Sequence, residues 1–478
     1  MQENTTTFKP SLSLLDATLL VAGSMIGSGI FIVSADIVRN VGSAGWLILV
    51  WVLTGVMTLV AALSYGELSG MFPKAGGQYV YLKEAYNPLI GFLYGWSFFS
   101  VIQTATIAAV GVAFSKFLAY LVPQLGNTYL LFNILGLNIY SGQLVAIAII
   151  CFLTYINTKG VKEAKWIQKL FTSAKLLALF ALIIFGFIIV KNSYWHENLQ
   201  TGFNAMQNNG IKNNLGVLQP AQWIGITGSA LAGAIATAMV GSIFSSDAWN
   251  NVTFIAGEIK NAQRNLGLSL FFGTLIVTLI YIATNLMYLN VMPLQEMAFC
   301  ADDRVAVLAA NKIFPSIGTT LIAVCIMIST FGCNNGLILS GARVYYTMAN
   351  DNLFFKKVGT LNKNAVPEVA LWIQCVVASL WCVSGKYGSL LDMISFVVVM
   401  FYILTIAGIF ILRKTQPNTS RPYKAFGYPF LPILYIVMGL AFCILLIIYK
   451  PEYTWSGLLI TLAGIPIYYL IMKGRKEE

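Results

Sequence analysis

Histidine is nearly missing from this chain, with one residue, His196, in 478. Imidazole acid–base chemistry and imidazole metal sites are therefore left almost without material. The cysteines lack pattern as well. Cys151, Cys300, Cys325, Cys333, Cys375, Cys382 and Cys443 form no CxxC pair and no metal-ligand spacing, and most lie in apolar runs. They read as small core residues, not as a disulfide framework. HExxH, GxxxxGK[ST] and paired membrane aspartates are also absent, which argues against a zinc hydrolase, an ATP-driven pump and an intramembrane hydrolase. No enzyme, cofactor or metal is expected. Charge is scarce too: 10% of residues are charged against 58% hydrophobic, with a mean hydropathy of +0.76. A soluble domain of this length does not carry that balance.

What is present is one apolar run after another. Charge-free stretches such as 17–35, 40–66, 85–115, 213–246, 265–295 and 425–449 reach or exceed the roughly 20 residues a helix needs to cross a bilayer. Turn and charge breaks divide the chain into twelve helices at 14–36, 45–70, 89–120, 142–158, 167–190, 221–256, 266–290, 317–348, 368–384, 390–412, 431–449 and 455–472. The expected class is an all-α membrane protein with twelve transmembrane helices. The first 15 residues are polar, with Lys9 as their only basic group, and lack the features of a signal peptide. The first span is therefore expected to remain in the mature protein.

The net charge of +11 is topological. With the N-terminus inside, only Arg39, Lys191, Lys212, Arg304, Lys312, Lys386 and Lys450 fall outside, and Lys116 and Lys175 fall within helices. All the other lysines and arginines then sit in inside segments, including Lys74, Lys83, Lys159, Lys162, Lys165, Lys169, Lys260, Arg264, Arg343, Arg413, Lys414, Arg421 and Lys424. The positive-inside rule places both termini in the cytoplasm of a cell-membrane protein. Basic residues scattered over short loops, with no continuous face, argue against nucleic acid as a partner. The longest outside stretch, 191–220, is rich in Asn and Gln and holds His196, which is assigned no role.

Two spans are chemically odd in their middles: the first, with "GSMIGSGIF" at 23–31, and the sixth, with "VGSIFSSDAWNN" at 240–251. Glycine costs roughly 1 kcal/mol relative to alanine inside a helix, and backbone groups freed in hydrocarbon cost several more unless paired. A ligand can supply the pairing. Where a helix unwinds at mid-membrane, the N–H groups of the following half suit a carboxylate, and the last carbonyls of the preceding half suit an ammonium. An α-amino acid carries both. The plainer reading is that Gly23, Gly27 and Gly29 merely permit close helix packing. Two interrupted spans, five helices apart, favour the binding reading.

These stretches, together with "SYGELSGMFPKAGGQYVYLKEAY" (64–86), "FTSAKLLALF" (171–180), "FSSDAWNNVTFIAGEIKNAQRNL" (244–266) and "STFGCNNGLILSGARVYY" (329–346), resemble the amino acid-polyamine-organocation superfamily, and within it the L-type amino acid transporter branch. The resemblance covers helices one to eight in order. It implies a LeuT-type fold: a tail at 1–13, a first inverted repeat at 14–190, an extracellular loop at 191–220, a second repeat at 221–412, and helices eleven and twelve with the C-terminal tail at 413–478. It also implies alternating-access transport of an amino acid.

Carried over residue by residue, the substrate carboxylate meets the backbone of Ser28, Gly29 and Ile30. Its ammonium meets carbonyls near Ile26 and around Phe244, Ser245 and Asp247. Gly27, Ser246 and Asn250 complete the expected site. Phe244 falls where the family places an aromatic that closes over the substrate, or else is core packing. Asn250 contributes a polar contact, or else caps the second half-helix. The chain departs from the branch by reading "SSDAW" where "AYDGW" or "AYGGW" is common, so selectivity does not carry over. Residues 121–141 contain no cysteine, so a covalently linked single-span partner is not expected.

Lys175, Asp247 and Glu67 are ionisable groups within or at the edge of spans, where a charge costs at least ~2.5 kcal/mol. Lys175 falls where the family has a lysine in place of bound sodium, bracing the first helix with Ser329 and Thr330 as candidate partners. Snorkelling to the surface is the bland alternative. Asp247 attracts a cationic side chain, accepts from the ammonium or caps the second half of helix six, the last being preferred. Glu67 is read as solvated at the interface or paired with a base. A neutral substrate is expected, because no second pocket carboxylate is evident. Transport of a cationic amino acid or polyamine, and a non-transporting amino acid sensor, are the alternatives.

Overall fold

The computed structural model describes residues 10–126, 129–134, 137–212, 218–315, 317–384 and 387–474. Lys9, Lys386, Arg475 and Lys476, all used for orientation above, lie outside the described residues. Helices dominate the chain. Its first third comprises α1 (Leu14–Met25), α2 (Val33–Val41), α3 (Ala44–Met71), α4 (Gln78–Ala85), α5 (Pro88–Ser97), α6 (Gln103–Leu121) and α7 (Ser141–Thr158). The middle holds α8 (Val161–Ile188), α9 (Trp195–Gln200), α10 (Gly228–Ser245), α11 (Asn251–Phe254), α12 (Ala262–Val291), α13 (Leu294–Ala298) and α14 (Val305–Ile313). Then follow α15 (Gly318–Asn350), α16 (Glu368–Ser384), α17 (Tyr387–Thr415), α18 (Phe430–Tyr449) and α19 (Pro451–Gly474). Ten spans among the described residues are long and apolar enough to cross a membrane, with α5 and α6 joined as one by a π-type turn at Phe98–Ile102. Leu14–Met25 and Glu368–Val383 are shorter apolar helices. This is an all-α membrane protein.

Two boundaries differ from the sequence reading for identifiable reasons. The first span does not stop at 36: α2 continues through Asp36, Arg39 and Asn40 to Val41. Those polar groups are satisfied locally and by a distant segment, because Arg39 donates to the Ala298 carbonyl at 2.6 Å and to Asp303 at 2.7 Å. The sixth span begins at Gly228, not 221. Residues Ile224–Gly225 instead pair as a short strand with Met206–Gln207, one of three two-stranded ladders among the described residues.

The ends rich in Lys and Arg are tied by ion pairs. Glu67 is fully buried and accepts from Arg413 at 2.9 and 2.6 Å and from the Ala425 N–H at 2.7 Å, with Arg421 at 3.4 Å. Of its two expected environments, the basic partner is the one found. Arg343 pairs with Glu258 at 3.2 Å, and Lys83 with Asp351 at 2.6 Å. The N-terminal segment is stitched to the same end by Ser11 N–H donating to the Glu258 carbonyl and Lys260 N–H to the Leu12 carbonyl. All seven cysteines are free, and burial pushes the Cys300 thiol, outside the spans, up to about 12.

Candidate functional site: two interrupted helices and a lysine

The first span breaks where its glycines lie. α1 ends at Met25, a short 3-10 turn occupies Gly29–Phe31, and α2 begins at Val33. A helix end leaves carbonyls without intrahelical partners, and inside a bilayer each needs a donor. Here a protein donor meets every one in turn. The Gly23 carbonyl accepts from Lys175 Nζ at 2.7 Å, Ser24 from Cys333 Sγ at 3.1 Å, and Met25 from the Tyr281 hydroxyl at 3.0 Å. Ile26 accepts from Lys175 Nζ at 2.6 Å, and the single Ser329 hydroxyl proton is shared between the Ile26 carbonyl at 3.3 Å and the Gly27 carbonyl at 3.2 Å. The ammonium thus sits at the negative end of a half-helix, where a cation is most favoured.

Lys175 is buried and does not snorkel. Its third contact, at 3.2 Å, is the carbonyl of Ser329, not the hydroxyl. Thr330, the other expected partner, bonds back to its own helix at the Ile326 and Met327 carbonyls and does not join the cluster.

That span is interrupted as well. α10 ends at Ser245, α11 begins at Asn251, and Ala248 between them holds φ +62, a left-handed conformation uncommon for a residue with a Cβ. Such outliers persist where surrounding structure imposes them, and they cluster at functional sites. Asp247 does not cap α11, as preferred from the sequence: its carboxylate accepts from Tyr402 of α17 at 2.5 Å. Asn250 occupies the cap position without a side-chain cap bond, and its amide donates to Gln78 Oε1 at 2.9 Å. Gln78 in turn donates to Thr405 Oγ1 at 3.0 Å. Phe244 is buried at the end of α10, beside Ser245 and Ser246.

Asp247, Asn250, Gln78, Gln103, Thr106 and Tyr402 line a narrow cavity, with Phe98 and Ile102 of the π turn on another wall. Asp247 and Ser246 also reach a second narrow cavity beside Thr54 and Thr58. Ile26, Gly27, Ser28, Gly29 and Ile30 line neither and are buried: Gly27 faces Cys333 of α15 and Val110 of α6, and Gly29 faces Ser245 of the sixth span. Gly29 meets Ser245 so closely that a Cβ there would lie 1.9 Å from Ser245 Oγ. The structure therefore joins the two breaks at Gly29 and Ser245 and places the polar cavity on the Asp247–Asn250 side of that junction.

Sequence reading missed Tyr281 of α12. Its hydroxyl lies 3.0 Å from the Met25 carbonyl and 2.9 Å from the Ser245 carbonyl, bridging the ends of both first half-helices. Gln78 and Tyr402 were missed too. A tyrosine or glutamine near an apolar run carries no local mark of what it will meet across the bundle. Tyr281→Phe is expected to leave insertion intact and to lower uptake up to about tenfold, the range of one neutral hydrogen bond. Uptake per reconstituted protein checks it.

Two interrupted helices, a buried cation at one break and a polar cavity at the other define a helical membrane transporter rather than an enzyme. The chain belongs to the amino acid permease family, which matches residues 12–471. It is 30% identical to the serine/threonine exchanger SteT of Bacillus subtilis (strain 168) over 473 residues, 98% of each chain. It is 29% identical to the human large neutral amino acids transporter small subunit 2 over 465 residues, 97% of this chain and 80% of that one. To the mouse b(0,+)-type amino acid transporter 1 it is 27% identical, over 98% of this chain and 89% of that one. The protein is an amino acid permease.

Proposed function

We propose that this permease carries neutral L-amino acids across the cytoplasmic membrane by alternating access, without sodium, as an exchanger or proton-coupled symporter. The observation that carries the reading is the Lys175 ammonium seated on the Gly23, Ile26 and Ser329 carbonyls, where a fixed cation holds the break of the first span. The substrate carboxylate lies at the Ser28–Ile30 backbone, the ammonium at the Phe244 and Ser245 carbonyls, and the side chain extends toward Asp247 and Asn250. The names of the relatives, a serine/threonine exchanger and a large neutral amino acids transporter, support a neutral substrate. In this reading the twelve spans form a LeuT-type pair of inverted repeats, 14–190 and 221–412, with α18 and α19 outside them and both termini cytoplasmic. One relative's name makes it a small subunit; the absence of cysteine in 121–141 supports a chain working without a covalently attached partner.

The test is competition against one labelled amino acid in proteoliposomes. Neutral L-amino acids are expected to compete, while their methyl esters and N-acetyl forms are expected neither to compete nor to be carried, since each removes one of the two charges the broken helices address. Equal inhibition by both blocked forms would move the site away from the two breaks. Stronger competition by lysine or a polyamine would favour the cationic alternative through Asp247. Binding without accumulation would mark a sensor.

A further inference from the structure

Away from the transport path, α3 and α12 cross at their basic ends on two glycines: a Cβ on Gly267 would lie 3.5 Å from the Gly66 Cα. Beside that crossing opens a groove of about 650 Å³. Leu63, Leu268, Phe271 and Phe426 give it apolar walls, and Arg264 stands among the lining residues at the first turn of α12. One wall is fixed. Tyr423 covers Gly66, whose Cβ would come within 2.9 Å of the ring. The loop carrying Tyr423 is held down by Glu67 through Arg413, Arg421 and the Ala425 N–H.

The groove lies where apolar spans give way to basic loops, the depth at which acyl chains meet headgroups. Phe426 is 69% exposed at its rim, as aromatic residues are at membrane interfaces. Arg264 is exposed and has no ion pair among the described residues, and Lys260 and Lys424, on the flanking segments, are likewise exposed and unpaired there. Water would find few polar partners against leucine and phenylalanine walls. A molecule with an apolar tail and an anionic head satisfies both parts, and the cytoplasmic leaflet supplies it.

We propose that this groove binds an anionic phospholipid of the cytoplasmic leaflet, with an acyl chain along Leu63, Leu268 and Phe271 and the phosphodiester at Arg264. The assignment to that leaflet rests on the distribution of Lys and Arg. Binding is tested on the full chain, purified in mild detergent, stripped of lipid and titrated with phosphatidylglycerol or phosphatidylcholine of equal chain length, with bound lipid counted by native mass spectrometry. One phosphatidylglycerol is expected to bind more tightly than phosphatidylcholine, and millimolar inorganic phosphate is not expected to displace it. Arg264→Gln is expected to weaken binding about fivefold, the share of one basic residue at an anionic membrane surface. Leu268→Trp fills the groove without altering charge and is expected to abolish binding. The two variants act through different parts of the lipid, so either one that melts like the parent suffices. Equal binding of both lipids, displacement by phosphate alone, or unchanged binding in a folded variant overturns the proposal.

Discussion

Lys175→Ala is expected to insert and purify but to lose uptake by more than about a hundredfold, because three buried carbonyls lose a charged donor, each loss worth on the order of 1–3 kcal/mol. The carbonyls are those of Gly23, Ile26 and Ser329. Two belong to the break of α1 and one to α15, so the ammonium holds the broken backbone against a neighbouring long helix. Ser329 Oγ still reaches Ile26 and Gly27 in the variant, but as a neutral donor at 3.3 and 3.2 Å. Sodium is not expected to restore the variant, since three carbonyls make an incomplete shell for a bare ion. The measurement is initial uptake in proteoliposomes, per reconstituted protein, in sodium and in choline and across pH. Parental transport that fails in choline would refute sodium independence. A parental pH dependence that vanishes in Lys175→Ala would select proton coupling over simple exchange.

Gly29→Val is expected to abolish substrate binding in protein that still inserts. A Cβ at Gly29 would lie 1.9 Å from Ser245 Oγ, 2.6 Å from its Cβ and 3.1 Å from its Cα. A serine hydroxyl can rotate away, but the Ser245 Cα belongs to the backbone of α10, so the two interrupted helices would have to part. Overpacking of this kind costs about 1–3 kcal/mol even in forgiving cores. Gly27→Ala provides the contrast, because its Cβ would press on the Cys333 sulfur, at 3.0 Å, and otherwise meet Cys333 Cβ and Val110 at ordinary contact distances of 3.7 and 3.9 Å. The milder variant is expected to keep measurable binding. Substrate-induced thermal stabilisation of the two purified variants checks the order, and equal affinities for Gly29→Val and the parent would remove the junction from the site.

The sequence reading and the structure agree on where the first span breaks, and at Gly29 the contact found is close helix packing, the plainer of the two readings, with Ser245 as the residue that demands glycine. A run of glycines and serines shows that a helix is weakened, not what approaches it. Asp247 makes the same point. Its position before Asn250 and Asn251 suits a helix cap by local rules, yet its carboxylate turns to Tyr402, 155 residues away in sequence. The boundary at Gly228 was hidden for a related reason, since residues 221–227 are apolar enough to continue the helix and only their pairing with Met206–Gln207 shows otherwise.

The sequence by itself determined that the chain lives in a membrane, which spans are interrupted, and that a lysine lies within the fifth span; only the family resemblance set that lysine at the first break. These properties follow from hydropathy, glycine content and the expense of a charge in hydrocarbon, all of which are local in the chain. Only the tertiary structure decided who satisfies whom. It set Lys175 on carbonyls rather than hydroxyls, Tyr281 across the ends of two half-helices, and Gln78 on Asn250. It also left Thr330 outside the cluster. Inside a bilayer every freed polar group must find a partner, but several partners of similar chemistry stand within reach of each break. The choice among them depends on how whole helices pack, through contacts between residues far apart in the chain.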